Sequence, residues 1–176
     1  KYDASIVPDK KIRVAWQSMW SKHDLDAASV DSTTMKTNSM RSLEGPHRTN
    51  LLNFVKALKP YDNTPSHRMF KQADDYMRRP LGISSAWASD PGAQSAPYLA
   101  CRRTFHIMMS DGRWNQSQSD VTNTSYRDNA TNRTLPDGAV YGGATAAAQA
   151  KSRLYRDETN QTLADWAFHS WANPMQ

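Results

Sequence analysis

The chain holds a single cysteine, Cys101, in 176 residues. One thiol forms no internal disulfide and supplies no Cys-His zinc set. It reads as a small residue ahead of a strand. No apolar run approaches the ~18 residues of a membrane span, and no signal-peptide pattern is visible. The formal charge is +5, but the basic residues fall in separated pairs: Lys10-Lys11, Arg78-Arg79 and Arg102-Arg103. A nucleic-acid surface would cluster them on one face with interleaved aromatics, so nucleic acid is excluded as the expected partner. Gly-x-Ser-x-Gly is absent, and no Lys-Ser/Thr follows Gly142-Gly143. A nucleophile elbow and a phosphate loop are therefore both missing. The histidines (His23, His47, His67, His106, His169) are dispersed and read as core or surface residues. Asp74-Asp75 reads as a solvated pair, because neighbours on a helix diverge by ~100°. Apolar residues make up 38%, which predicts a modest core wrapped in long polar loops.

What is present is an alternation of short apolar strands and helices. Ile12–Trp20 is rich in strand formers, with Ile12, Val14 and Trp16 inward. The stretch 21–44 is a polar excursion. Leu51, Leu52, Val55 and Leu58 recur at helical spacing within His47–Lys59, with Thr49 or Asn50 as the expected cap and Pro60 as the stop. In the next helix Thr64 precedes Pro65. Proline suits the first helical position, so Thr64 is the expected N-cap. Met69, Phe70, Ala73, Tyr76 and Met77 form its apolar stripe and Pro80 ends it. The stretch 81–100 is a loop, Phe105–Met109 reads as a short buried strand, and 116–137 is a second polar excursion. Ala144–Arg156 is alanine-rich and helical. Thr162–Trp171 is an amphipathic helix that opens on a capping box of Thr162 and Asp165, with Leu163, Ala167 and Trp171 on one face beside Trp166 or Phe168. The alternation predicts an α/β domain with a largely parallel sheet. Ligands bind such sheets beyond the carboxyl ends of the strands.

Asp111 lies at one such end, in Ser110-Asp111-Gly112, and Thr64 lies in the loop before a helix. A carboxylate and a hydroxyl so placed suit a hard divalent cation, which takes oxygen ligands and keeps several waters. From spacing alone, an Asp-Gly turn and a capping threonine explain the same residues.

The wording of these segments goes further. "NTPSHRMFKQADDY" resembles the second metal motif of von Willebrand factor A domains, and "FHIMMSDGRWN" resembles the third, in the same order. Together with "CRRTFHIMMSDGRWN" and "TLADWAFHSW", they resemble the A-type domain of type IV pilus tip-associated adhesins, the PilY/PilC group. The similarity covers most of residues 10–172.

The resemblance implies a doubly wound, mostly parallel sheet flanked by helices, as one von Willebrand factor A-like domain over 1–176 without the family's β-propeller. It implies Thr64 and Asp111 as metal ligands, with Ser66 and Ser110 supporting them, and Mg²⁺ or Ca²⁺ as the cation. The family's first motif, Asp-x-Ser-x-Ser, is not found; Asp3 and Ser5 come nearest, but Val7 stands where the second serine would be. The expectation is an incomplete domain, whose missing N-terminal strand comes from upstream residues or another chain. The implied role is a non-enzymatic one at the bacterial surface and pilus tip, in pilus assembly, adhesion and twitching motility. The implied partners are minor pilins and a host or abiotic surface ligand. The rival readings are a metal-dependent α/β hydrolase using Asp111, and a structural surface subunit that binds no metal.

Overall fold

In the computed structural model the described residues are 4–18, 38–59, 64–82, 85–88, 102–110, 133–142 and 162–173, with isolated positions between 145 and 159 and at 175. Strand β1 (Arg13–Val14) pairs antiparallel with β2 (Arg41–Ser42), in the register Arg13↔Ser42 and Val14↔Arg41. Backbone bonds extend the pair at both ends, from Leu43 N–H to Ile12 O at 2.9 Å and from Trp16 N–H to Asn38 O at 3.2 Å. The Asn38 side chain donates back to Trp16 O at 2.7 Å. The partner strand therefore lies inside the stretch that the sequence marks as a polar excursion. Ser39 and Leu43 there are fully buried.

Helix α1 spans Gly45–Ala57. It starts two residues before His47, because Pro46 fills the first turn, where a missing N–H is harmless. Glu44 takes the N-cap position and gives no side-chain cap. Thr49 and Asn50, the two expected caps, instead lie inside the helix, and Thr49 donates its hydroxyl to Gly45 O at 3.3 Å. The buried face is His47, Arg48 and Leu51, while Val55 and Leu58 are exposed. His47 turns inward because its ring bonds Val14 O at 2.8 Å and lies 4.7 Å from the Trp16 ring.

Helix α2 spans Ser66–Met77. Pro65, expected at the first helical position, sits in the N-cap position with φ −81° and ψ 61°, and no side chain caps the helix. Thr64 is thus displaced by one residue from the capping role expected of it. The apolar stripe holds where it matters most: Met69, Ala73 and Tyr76 are buried. Ala73 and Tyr76 form a cluster with Ala86, flanked by Ala15, Met40 and Met77. Arg78 closes the helix by donating its N–H to Asp74 O at 2.9 Å, before Pro80.

Strands β3 (Arg133–Thr134) and β4 (Val140–Tyr141) form a second antiparallel pair. Its turn runs through Pro136-Asp137-Gly138. Gly138 has φ +80°, a conformation that suits glycine, and Asp137 accepts from Ala139 N–H at 3.0 Å. β3 lies within the second expected polar excursion, where two-residue strands leave no period to read.

In the alanine-rich stretch the described residues show helical bonds, Gln149 N–H to Thr145 O at 3.0 Å and Arg156 N–H to Ser152 O at 2.9 Å. Helix α3 spans Leu163–Ala172 and carries the expected capping box of Thr162 and Asp165. Its buried face differs from the expected one. Asp165, Trp166, Phe168 and Ala172 are inside, while Trp171 is 48% exposed. Phe168 and Ala172 pack with Leu135 and Tyr141 in a second cluster, and the rings of Tyr141 and Phe168 are 4.7 Å apart. The β3–β4 hairpin therefore decides which side of α3 faces inward.

Both described ladders are antiparallel. They speak neither for nor against the parallel sheet expected from the sequence. Phe105–Met109 does differ from expectation. It joins neither ladder, and Phe105, Ile107 and Met109 are 79%, 79% and 83% exposed rather than buried.

Candidate functional site

The approach to α2 is built from residues 64–70. Thr64 is half-buried, and its carbonyl accepts from Ser66 N–H at 2.9 Å. Ser66 and His67 are buried, at 1% and 2% exposure. Gln17, from the chain leaving β1, donates its amide to Met69 O at 2.5 Å and ties the first turn of α2 to that segment. Sequence reasoning assigned Gln17 no role, since its partner is a backbone carbonyl that leaves no pattern in side-chain types.

The segment 102–110 passes beside the same helix. The His106 ring lies 5.1 Å from that of Phe70, which in turn lies 6.3 Å from Trp166 of α3. Desolvation against α2 lowers the pKa of His106, opposed by the Asp74 carboxylate. The contact joins the middle of this segment to α2 through His106 and Phe70. Ser110 is exposed at the end of that segment. Asp111 lies outside the described residues. Among the described residues, no three His, Cys, Asp or Glu side chains converge as a metal cluster.

Behind this approach α2 and α3 share a polar clamp. Asp74, read from the sequence as solvated, is 5% exposed. One of its carboxylate oxygens accepts from Arg78 Nε at 2.6 Å and the other from Ser170 Oγ at 2.5 Å. Arg78 also donates to Ser170 O at 3.2 Å. The Asp74–Arg78 spacing of four residues was the available signal for this pair. Its neighbour Asp75 does face solvent and pairs with Lys71.

His169 sits beside the clamp. Burial lowers its pKa to about 4, the Arg133 and Arg78 cations push the same way, and Asp74 opposes them. Its Nδ1 pairs with the Asn173 amide nitrogen at 3.1 Å; with the amide as donor, the ring nitrogen accepts, as only a neutral imidazole can. A base with a depressed folded pKa stabilises the fold above its unfolded pKa, near 6.5, and that stability drains away as pH falls toward about 4. His169→Gln is therefore expected to flatten the acid side of a urea-midpoint-against-pH curve in that window. A variant curve parallel to the parent's would remove His169 from the account.

No family model matches the chain, and no solved structure matches it. Curated proteins do. The type IV pilus biogenesis factor PilY1 of Pseudomonas aeruginosa strain PAK is 34% identical over 160 residues, 91% of this chain. PilY1 of strain PAO1 is 35% identical over 161 residues, again 91% of this chain. PilY1 of strain UCBPP-PA14 is 23% identical over 167 residues, 95% of this chain. The chain spans only 12–13% of the length of these relatives.

Proposed function

Since this chain is homologous to a segment of the pilus biogenesis factor PilY1, we propose that it is one part of a type IV pilus biogenesis factor. The observation that carries this reading is 34–35% identity sustained over 91% of the chain. A match of 160 residues has the length of a folded unit and is not a short shared motif. The finer reading makes this unit a von Willebrand factor A-like adhesion module at the pilus tip. Minor pilins and a surface ligand are its partners, and surface attachment and twitching motility its outputs. Its role is non-enzymatic, in binding and assembly.

The cation reading fits the donor chemistry. Thr64 and Ser66 offer hydroxyl oxygens at the approach to α2, and the segment ending at Ser110 packs against that helix. Hard cations such as Mg²⁺ and Ca²⁺ take such oxygens. In this reading Thr64 and Asp111 hold the cation, Ser66 and Ser110 orient them, and the remaining ligands come from outside residues 1–176. A bound cation would supply an open coordination position for an acidic group on a partner.

Two measurements test these levels separately. Deleting the region that corresponds to residues 10–172 from the native, longer protein should sharply reduce surface pili, measured as sheared pilin; normal piliation would overturn the biogenesis role. For the metal, calorimetry on the longer protein should show Mg²⁺ or Ca²⁺ binding that weakens at least tenfold in Asp111→Ala and in Thr64→Ala. The 176-residue chain alone should bind weakly or not at all. Micromolar binding by that chain, lost in Asp111→Ala, would show that the site is complete within it.

A further inference from the structure

We propose that α3 is an acid-released latch: when His169 gains a proton, the helix comes away from α2 and from the β3–β4 hairpin. The Asn173 side chain fixes which form of the ring the folded state holds. Its amide nitrogen donates to His169 O at 2.6 Å, and a carbonyl oxygen can only accept. The same nitrogen lies 3.1 Å from His169 Nδ1, so that ring atom accepts and carries no proton. Turning the amide over to receive a proton from the ring would break its bond to His169 O. The Asn173 backbone N–H also bonds His169 O, at 3.1 Å, so the C-cap of α3 and the neutral imidazole form one arrangement.

The surroundings oppose a charge on the ring. Arg133 of β3 places Cζ 6.0 Å from the Phe168 ring, and Arg78 of α2 donates to Ser170 O at 3.2 Å. Two guanidiniums therefore hold the residues on either side of His169. Among the described residues, Arg133, Arg78 and Asp74 are the charges that act on the ring. Asp74 alone favours a proton there, and both its oxygens are already engaged by Arg78 and Ser170. His106 is the other histidine on which Asp74 acts, but it is exposed, so a proton on it meets water. A helix C-terminus by itself favours a cation. Burial and the two guanidiniums outweigh that preference at His169, whose pKa falls to about 4. Once freed, α3 cannot persist, because a helix of ten residues is too short to hold its form in water without a packed face.

Two exchange measurements by mass spectrometry on the longer protein test the latch: amide exchange for opening, and imidazole C2 hydrogen exchange for the His169 midpoint. Between about pH 7 and about pH 4.5, and after correction for intrinsic rates, opening of residues 163–172 should rise at least ~10-fold more than opening of residues 45–57. His169→Gln should abolish that excess, and His106→Gln should leave it in place. Arg133→Gln removes one repelling cation, so it should shrink the excess and raise the His169 midpoint. Equal rises in the two helices overturn the proposal. So does an excess that survives in His169→Gln or vanishes in His106→Gln. A His169 midpoint at or above the ordinary ~6.5 in the parent protein, or one that Arg133→Gln does not move, overturns it as well. None of these outcomes bears on the biogenesis reading, so the two can fail independently.

Discussion

Asp74→Ala is expected to destabilise the protein by about 3 kcal/mol, or roughly 6–12 °C in Tm. The substitution removes both acceptors from the polar clamp. It leaves Arg78 Nε and Ser170 Oγ, which lie 2.6 Å and 2.5 Å from the carboxylate, without it. Removing one partner of a buried pair costs more than the pair contributes, because the remaining charge has lost its water as well. The Arg78 side chain retains 23% exposure, which places the effect at the low end of the usual range for buried pairs. Asp75→Ala is the control. Its side chain is 56% exposed and its pair with Lys71 lies on the surface, so a change within ~0.5 kcal/mol is expected. Urea unfolding of both variants checks the contrast; equal effects would show that Asp74 is not the member that matters. A double-mutant cycle of Asp74→Ala with Ser170→Ala should show strong coupling across α2 and α3.

Arg13→Met is expected to cost about 2–3 kcal/mol. Its guanidinium donates to three backbone carbonyls: Ala86 O at 3.0 Å, Met40 O at 3.1 Å, and Ala88 O. It thereby fastens β1 to the approach of β2 and to a loop more than 70 residues away. Ala86, Trp87 and Ala88 are all buried, so those carbonyls have little water to turn to once the guanidinium is gone. Arg13→Lys should recover less than half of the loss, since an ammonium cannot present a planar fork to carbonyls from two segments. The distinguishing readout is local. Amide exchange should accelerate first at residues 85–88, ahead of α1 and the α3 clamp. A uniform acceleration would mean that Arg13 acts through general packing rather than as a tether.

Where side-chain chemistry is local, the sequence is a good guide. Thr162 and Asp165 are three residues apart, and a capping box needs nothing else. The stripe on α2 was legible for the same reason, and so was the homology that its wording suggested. What escaped the sequence was decided at long range. The polar stretch before Leu43 carries β2 because Ser42 pairs with Arg13 on β1 and Asn38 with Trp16 just beyond it. α3 turns Phe168 inward, and not Trp171, because Tyr141 arrives from a hairpin of two-residue strands. Asp74 looked solvated because its second partner, Ser170, is remote in the chain. For the candidate site, the described contact is that of His106 with Phe70 of α2, while Asp111 lies outside the described residues. Its role as a ligand remains a reading from the resemblance.

The separation between Asp74 and Ser170 is 96 residues, and it bears on how the protein is made. At a synthesis rate of roughly 5–20 residues per second, Asp74 is added to the chain about 5–20 s before its partner hydroxyl exists. During that interval Arg78, only four positions away, is the carboxylate's nearby helical counterion. The i,i+4 pair thus holds the charge of a nascent helix whose other face is waiting for the C-terminal helix, and a pause in elongation between the two would prolong that half-finished state.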